Sequence, residues 1–529
     1  MADLRTRAVS FATRIDGISV RLGEQLLSPR VFLPSILFYL LLLFLIRGFL
    51  LPGGPNDDSE QLLYSQSFAL GYGLRNPPLY TWLVIGAELV FGVTIAAVVA
   101  VKFLLLAGTY LLLFASGRHM ASDQRWAVAA AAAPLGIYYI AWDAVQNYSH
   151  TVLLMFICAA THHCLLRLAE RTRLLWYAAL GLAIGIGIVT KYNYLLFAVS
   201  LIGAALTEPS YRRKLADRRI GVTVALAVLV AAPFLAYAIG HAGGERTGIP
   251  AGSLPNAALP LWPAFTSGLG RFLSFAIGFF VPLLFLAPAF FPRALRVLPA
   301  DVARPGPALR MTGLSLLIQA VLFLLMFVSA YALGVGLPVL HPHLFFSFIL
   351  LPLWFITRAS YAGGWAGALP RFVSVLAVLA VVVLVFTLGK FVLDPVSAKR
   401  PVYNVPYATL ASALRQAGFT GGTVYTWDQP FPLSGNLRVQ FPDSRFITGK
   451  FPFYVPPARV TPGQCLAVWS SDGNAGIDQQ AAAGFRAMTG ADVAIDQDPS
   501  LVTLPMVLGW GRTITFKYRL FPEGVGSCR

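Results

Sequence analysis

Apolar stretches of roughly the length that about 20 helical residues need to cross a hydrocarbon core recur along this chain and leave it one class of fold. They run over 31–51, 93–116, 126–141, 150–167, 174–188, 193–207, 220–240, 271–291, 312–333, 344–357 and 372–393. Of 529 residues, 57% are hydrophobic and only 12% are charged. The expectation is an α-helical polytopic membrane protein of about 11 transmembrane helices.

A formal charge of +17 would suit a nucleic-acid binder if it were gathered in one basic domain. Here the Lys and Arg are dispersed over short loops, so nucleic acid is not an expected partner and the charge reads as topology. The connections at 117–125, 168–173, 208–219, 292–311 and 358–371 are basic, and the alternate connections carry few cations. The positive-inside rule then puts the N-terminus in the cytoplasm and the tail after Lys390 outside. The basic start (Arg5, Arg7, Arg14, Arg21) runs long before the first apolar span and offers no small-residue cleavage site, so the first helix is expected to be retained.

Charge also divides the long stretch Leu174 to Thr207. Both its ends are basic, so it must turn back, and the only polar break is "TKYN", which puts Lys191 at the outer tip of two short helices. Pro78 to Ser116 is too long for one span and opens on Pro-Pro. Short interfacial helices are therefore expected at 58–72 and 78–91, with Tyr64, Tyr72, Tyr80 and Trp82 at headgroup level. The chain divides into a membrane domain, 1–395, and a tail, 396–529. Alternating runs such as "GTVYTW", "CLAVWSS" and "RTITFKYRLF" predict strands of a small α/β domain in that tail. Cys158 and Cys164 carry no metal-ligand pattern, while Cys465 and Cys528 can bridge only if the tail is outside.

With this threading the uncommon polar residues collect at one rim: Asp57, Asp58, Glu60, Arg75 and Asn76, then Asp143, Lys191, His241, Glu245, Arg246, Arg271, His341 and His343. A transporter would place ionisable groups near the midplane. Lys102 is the main cation inside a span and reads as a snorkelling side chain. The rim favours surface chemistry on a substrate with a polar reactive end and a lipid anchor.

Two segments carry a family likeness. "DDSEQLLYSQSFALGYGLRNPPLYTWL" resembles the first outer loop of GT-C glycosyltransferases related to protein O-mannosyltransferases and the lipid A aminoarabinose transferase: an acid pair, an aromatic-rich helix ending in Gly-Tyr, then Pro-Pro-Leu and Trp. "WYAALGLAIGIGIVTKYNYLLF" resembles the later segment in which a Trp-led, Gly-rich helix ends at Thr-Lys-Tyr. The likeness covers roughly residues 31–240. Asp58 stands where the family has Glu, and Asn76, preceded by Arg75, stands where many members have His or Lys.

The resemblance implies an inverting glycosyltransferase that takes a sugar from a polyprenyl-phosphate donor and adds it to a lipid-linked or envelope glycan acceptor, at the periplasmic face of a bacterial inner membrane. Several members bind a divalent metal, but the motifs here do not demand one and none is assigned. Asp57, matching the first acid, is the expected general base; the competing reading is a helix cap, for which Asp58 or Ser59 is better placed. Asp58 is grouped with the substrate-binding residues, and Glu60 reads as a solvated first-turn acid.

Lys191, with the adjoining Tyr192, is the expected phosphate partner, against a reading as interfacial anchor. Arg75 and Arg271 are alternative phosphate clamps, with Asn76 beside the first. Asp143 is expected to orient the acceptor or a cation, or to cap a helix end. His341 and His343 flank Pro342 as donor-site hydrogen-bonding groups, without a metal signature. His241 and Glu245 lie in a loop, 241–270, placed to close over the acceptor. The competing functions are a polyprenyl-linked lipid or sugar flippase and a polysaccharide ligase.

Overall fold

The computed structural model describes residues 14, 16–241, 258–296, 306–334, 342–362, 365, 367–397, 402–472 and 476–529. Seven helices in these residues are long and apolar enough to cross a membrane: Pro29–Leu50, Ile95–Met120, His150–Glu170, Ile220–His241, Pro307–Leu333, His343–Ala362 and Ala368–Val396. The count becomes eight if Tyr194–Thr207 and Pro209–Leu215, bent by 113°, form one span.

Where the expected spans fall short, the backbone shows why. The 126–141 stretch is helical only over Gln124–Ala132, then passes through a tight turn at Pro134 and a wide turn at Tyr139–Asp143. The span expected at 271–291 begins ten residues earlier, as Leu261–Phe280, and restarts as Leu283–Phe290 after Pro282.

The hairpin forced by charge is present. Leu174–Ile188 and Tyr194–Thr207 are separate helices, with Lys191 in the turn between them. The Gly-rich face of the first lets it press onto Ile220–His241. A Cβ on Gly181 would lie 2.5 Å from the Thr223 carbonyl oxygen, and one on Gly185 would lie 2.9 Å from that of Ala227. The outer-loop helices span Asn56–Tyr64 and Leu79–Phe91.

In the tail, β1 (Gly422–Trp427), β2 (Arg445–Thr448), β3 (Gln464–Ser470), β4 (Ser500–Pro505) and β5 (Thr513–Phe521) form one sheet in the order β2-β1-β3-β5-β4. β1 pairs in parallel with β2 and β3, while β5 runs antiparallel to β3 and β4. All three quoted strand runs are found. Cys465 on β3 is bonded to Cys528.

One helix of this sheet region, Leu433–Gln440, sits directly on Asn56–Tyr64. Asn436 holds Gly54 from both sides, accepting from its N–H (2.7 Å) and donating to its carbonyl (2.9 Å). Arg438 donates to the Leu62 carbonyl, to Ser65 Oγ (2.7 Å) and to Glu88 Oε1 (3.1 Å). The helix that carries the acid pair is thus clamped between the membrane bundle and the sheet.

Candidate active site

The acid helix begins at Asn56 with Pro55 in the cap position and no side-chain cap, so Asp57 and Asp58 lie in its first turn rather than capping it. Carboxylates there also complement the helix dipole. Asp58 points into the bundle and is fully buried. One oxygen accepts from Arg47 Nη2 (2.8 Å) and the other from Lys102 Nζ (2.9 Å).

Both oxygens are therefore engaged, which corrects the expectation of a substrate-binding Asp58. Lys102 does not snorkel either, because it is wholly buried on that carboxylate. Arg47 also donates to the Gln146 carbonyl (3.2 Å) and lies over the Tyr403 ring at 4.7 Å. Tyr403 in turn donates to Gln146 Oε1 (2.9 Å). Asp58 ties the acid helix to the first spans and, through Arg47, to the start of the tail.

Asp57 is turned the other way and remains partly exposed. Its carboxyl is pushed up to about 6, first by burial and then by the charge of Glu60, with Lys102 and Arg75 pulling in the opposite direction. Glu60 is not a solvated acid. Its side chain is 7% exposed and accepts from Arg75 Nη1 at 3.3 Å, while the Arg75 side chain is 42% exposed.

Lys191 comes to the same place. Its Nζ donates to Thr151 Oγ1 (2.8 Å). Burial holds its amine down to about 8, with the Asp57 charge raising it and that of Arg75 lowering it. The Lys191 turn is strapped to the Arg75 loop: Tyr192 Oη donates to the Leu74 carbonyl (2.8 Å), and the Leu79 N–H donates to that of Val189 (3.3 Å). Tyr192 is placed as this strap. Asn76 lines a recess with Glu60, Arg75, Thr81 and His150.

A second limb adjoins the first. Lys390 acts on the Asp143 carboxylate, and its Nζ lies over Trp142 (5.7 Å) and Tyr403 (5.2 Å). The Tyr148 phenol feels both Asp143 and Asp57, and its ring packs edge-on to His343 at 4.4 Å.

Other expected residues stand apart. His241 ends the helix Ile220–His241, exposed, stacked on Tyr237 at 4.1 Å and donating to that residue's carbonyl (2.7 Å). Arg271 lies mid-helix, donating to Tyr331 Oη (3.4 Å) and covering Phe275. That placement puts Arg271 within a helix rather than at the end of a loop. Glu245, Arg246 and His341 lie outside the described residues.

Tyr64, Tyr72 and Tyr80 do not reach headgroups. The first two stack at 5.4 Å under Tyr454 of the tail, and Tyr80 donates to the Val98 carbonyl (3.2 Å). Among the described residues no three His, Cys, Asp or Glu side chains gather as a metal site. No divalent metal is assigned, and no step of the proposed reaction uses one.

Residues 75–237 match the family model described as dolichyl-phosphate-mannose-protein mannosyltransferase. The chain is 27% identical over 461 residues to the lipopolysaccharide core galacturonosyltransferase RgtA of Rhizobium johnstonii, covering 86% of this chain and 89% of that one. It is 27% identical over 401 residues to RgtB of the same organism, covering 76% and 79%. In fold it is similar to ArnT from Cupriavidus metallidurans bound to undecaprenyl phosphate, with a TM-score of 0.59 at 13% identity, covering 93% of this chain and 98% of that one. The chain is a GT-C glycosyltransferase.

For this glycosyltransferase, sequence reasoning missed Arg47, His150 and the clamping pair Asn436 and Arg438. Arg47 had a usable signal, since a cation inside an apolar run calls for a buried partner. Asn436 and Arg438 had none, because nothing local marks a tail residue as the partner of a loop nearly 400 positions earlier.

Proposed function

We propose that this glycosyltransferase moves a sugar from a polyprenyl-phosphate donor to a lipid-linked or envelope glycan acceptor, with inversion at the anomeric carbon. The observation that carries this reading is the approach of Lys191 to Asp57, whose charge raises the buried amine, at one end of the bundle. Lys191 neutralises the donor phosphate. Asp57 accepts the proton of the acceptor hydroxyl as that oxygen bonds to the anomeric carbon. The bond from that carbon to the phosphate oxygen breaks on the opposite face, and its electron pair leaves with the polyprenyl phosphate.

The names of the galacturonosyl relatives favour a uronic acid as the sugar and a lipopolysaccharide core as the acceptor. Asp143 lies on the acceptor side and His343, edge-on to Tyr148, at the donor site, with Lys390 over Trp142 and Tyr403. In this reading residues 1–395 form the catalytic membrane domain of a bacterial inner-membrane protein with a cytoplasmic N-terminus. Residues 396–529 form a periplasmic domain that braces the acid helix. The Cys465–Cys528 bridge supports an oxidising compartment for that tail.

The test is transfer from polyprenyl-phosphate galacturonic acid to purified core glycolipid, followed by mass spectrometry. Asp57→Asn is expected to bind donor and make no product. Full turnover by that variant would remove Asp57 as the base, and movement of the donor across vesicles without transfer would favour a flippase.

A further inference from the structure

Beside Asp57 lies a polar recess lined by Glu60, Arg75, Asn76, Thr81 and His150. Its hydrogen-bonding character is lopsided. Gln61 Oε1 accepts from the Thr81 hydroxyl (2.8 Å), which leaves the Gln61 amide N–H facing His150 Nε2 at 3.1 Å. With the Gln61 amide in this orientation the ring nitrogen accepts, which assigns a neutral imidazole with its hydrogen on Nδ1.

Nδ1 has no partner among the described residues, although His150 is only 5% exposed. Leaving a buried donor without an acceptor is unfavourable, and a ligand that accepts there removes that cost. Arg75 adds further donors. Its one described hydrogen bond, through Nη1 to Glu60, is long for a charge-assisted pair at 3.3 Å, and it is directed at the rim of the same recess.

Charge points the same way. The Arg75 charge acts on Lys191, and both cations act on His150. Lys191 is bonded to Thr151, the chain neighbour of His150, so a second cation stands close to the recess that Arg75 lines. A glycosyl phosphate of a neutral sugar supplies a single anion, for Lys191. A hexuronosyl phosphate supplies two, at opposite ends of the sugar.

Resting on the donor reading given above, we propose that Arg75 and His150 bind the carboxylate of a hexuronosyl donor, making this recess the determinant that selects a uronic acid over the matching neutral hexose. Arg75 then belongs to the sugar end of the donor rather than to its phosphate. The guanidinium meets the carboxylate in a fork that a hexose hydroxymethyl group cannot match, and the His150 Nδ1–H supplies a further donor to it.

The experiment uses the full chain in lipid nanodiscs with two synthetic donors, polyprenyl-phosphate galacturonic acid and polyprenyl-phosphate galactose. The ratio of their kcat/KM values is read from each preparation, which cancels any difference in the folded fraction. Wild type is expected to prefer the uronosyl donor, and Arg75→Met is expected to cut that ratio by about 100-fold. Should Arg75→Met make no product with either donor, the ratio is read on His150→Ala, where a fall of about tenfold is expected.

An unchanged ratio overturns the inference, because equal losses on both donors would mean that Arg75 holds the phosphate or only braces Glu60. A wild type active on both donors without preference overturns it as well, and leaves the transferase reading standing. A wild type that takes neither polyprenyl donor removes both.

Discussion

A Cβ on Gly435 would lie 2.0 Å from the carbonyl oxygen of Ser59. The tail helix and the acid helix meet backbone to backbone, and the Gly435 N–H donates to Ser59 Oγ at 3.0 Å. Any side chain at 435 must push the acid helix away from the sheet region. Gly435→Val is therefore expected to destabilise the fold by about 1–3 kcal/mol and to cut transfer well beyond what the lost folded fraction explains. Thermal unfolding and turnover on the same sample measure the two effects. Gly86→Ala, where an added Cβ meets nothing within 4 Å, is the control. If Gly435→Val keeps wild-type turnover, the tail does not position Asp57.

The pH profile follows from two shifted groups. Asp57 must be ionised to take a proton, and its carboxyl is held up to about 6. Below that, kcat/KM is expected to fall about tenfold per pH unit. Lys191 must be charged to meet phosphate, and its amine is held down to about 8, so the profile also falls above about 8. Glu60 is the second cause of the Asp57 shift. Glu60→Gln removes that charge and is expected to move the acid limb to lower pH. A rate that stays flat from pH 5 to 7 would remove Asp57 as the base.

What could be read from the sequence is what local chemistry enforces. Basic residues at both ends of Leu174–Thr207 leave no threading except a hairpin with Lys191 at its tip, and the structure has that hairpin. The alternating runs in the tail likewise become strands, since period-two patterning has few other outcomes. Long-range pairing was not legible. Lys102 in an apolar run looks the same whether it snorkels or is buried on Asp58, 44 positions away. Tyr64 and Tyr72 carry the composition of an interfacial belt, yet they pack under Tyr454, which belongs to the tail. The helix from Leu261 opens on Trp-Pro and presents an exposed face, so it resembles a loop until Arg271.

The Cys465–Cys528 bridge joins β3 to the chain's end across 63 positions. A cross-link of that span stabilises a domain by about 2–4 kcal/mol, chiefly by restricting the unfolded chain. The Cys465→Ser, Cys528→Ser double variant is expected to lower the unfolding temperature of the tail while leaving the acid helix anchored on Asp58. Hydrogen exchange resolves the two regions. Loss of protection at Asn56–Tyr64 equal to that at β3 would show that the clamp, rather than Asp58, holds the helix.

Asp58 is the hub on which the site depends without touching substrate. Arg47 and Lys102 are both wholly buried and both face its carboxylate. Asp58→Asn keeps the shape but leaves two buried cations with only a neutral amide between them. Breaking a buried pair from one side costs about 3–5 kcal/mol, because the partner charge stays desolvated. Asp58→Asn is therefore expected to unfold at lower temperature and to lose transfer. The triple variant Asp58→Asn, Arg47→Met, Lys102→Met removes the stranded charges and is expected to recover stability ahead of activity, because the acid helix regains apolar packing without the bonds that aim it. Asp57 is untouched in both variants. If Asp58→Asn unfolds like wild type but loses its affinity for the donor, Asp58 contacts substrate after all and the orientation of the acid helix described here is wrong.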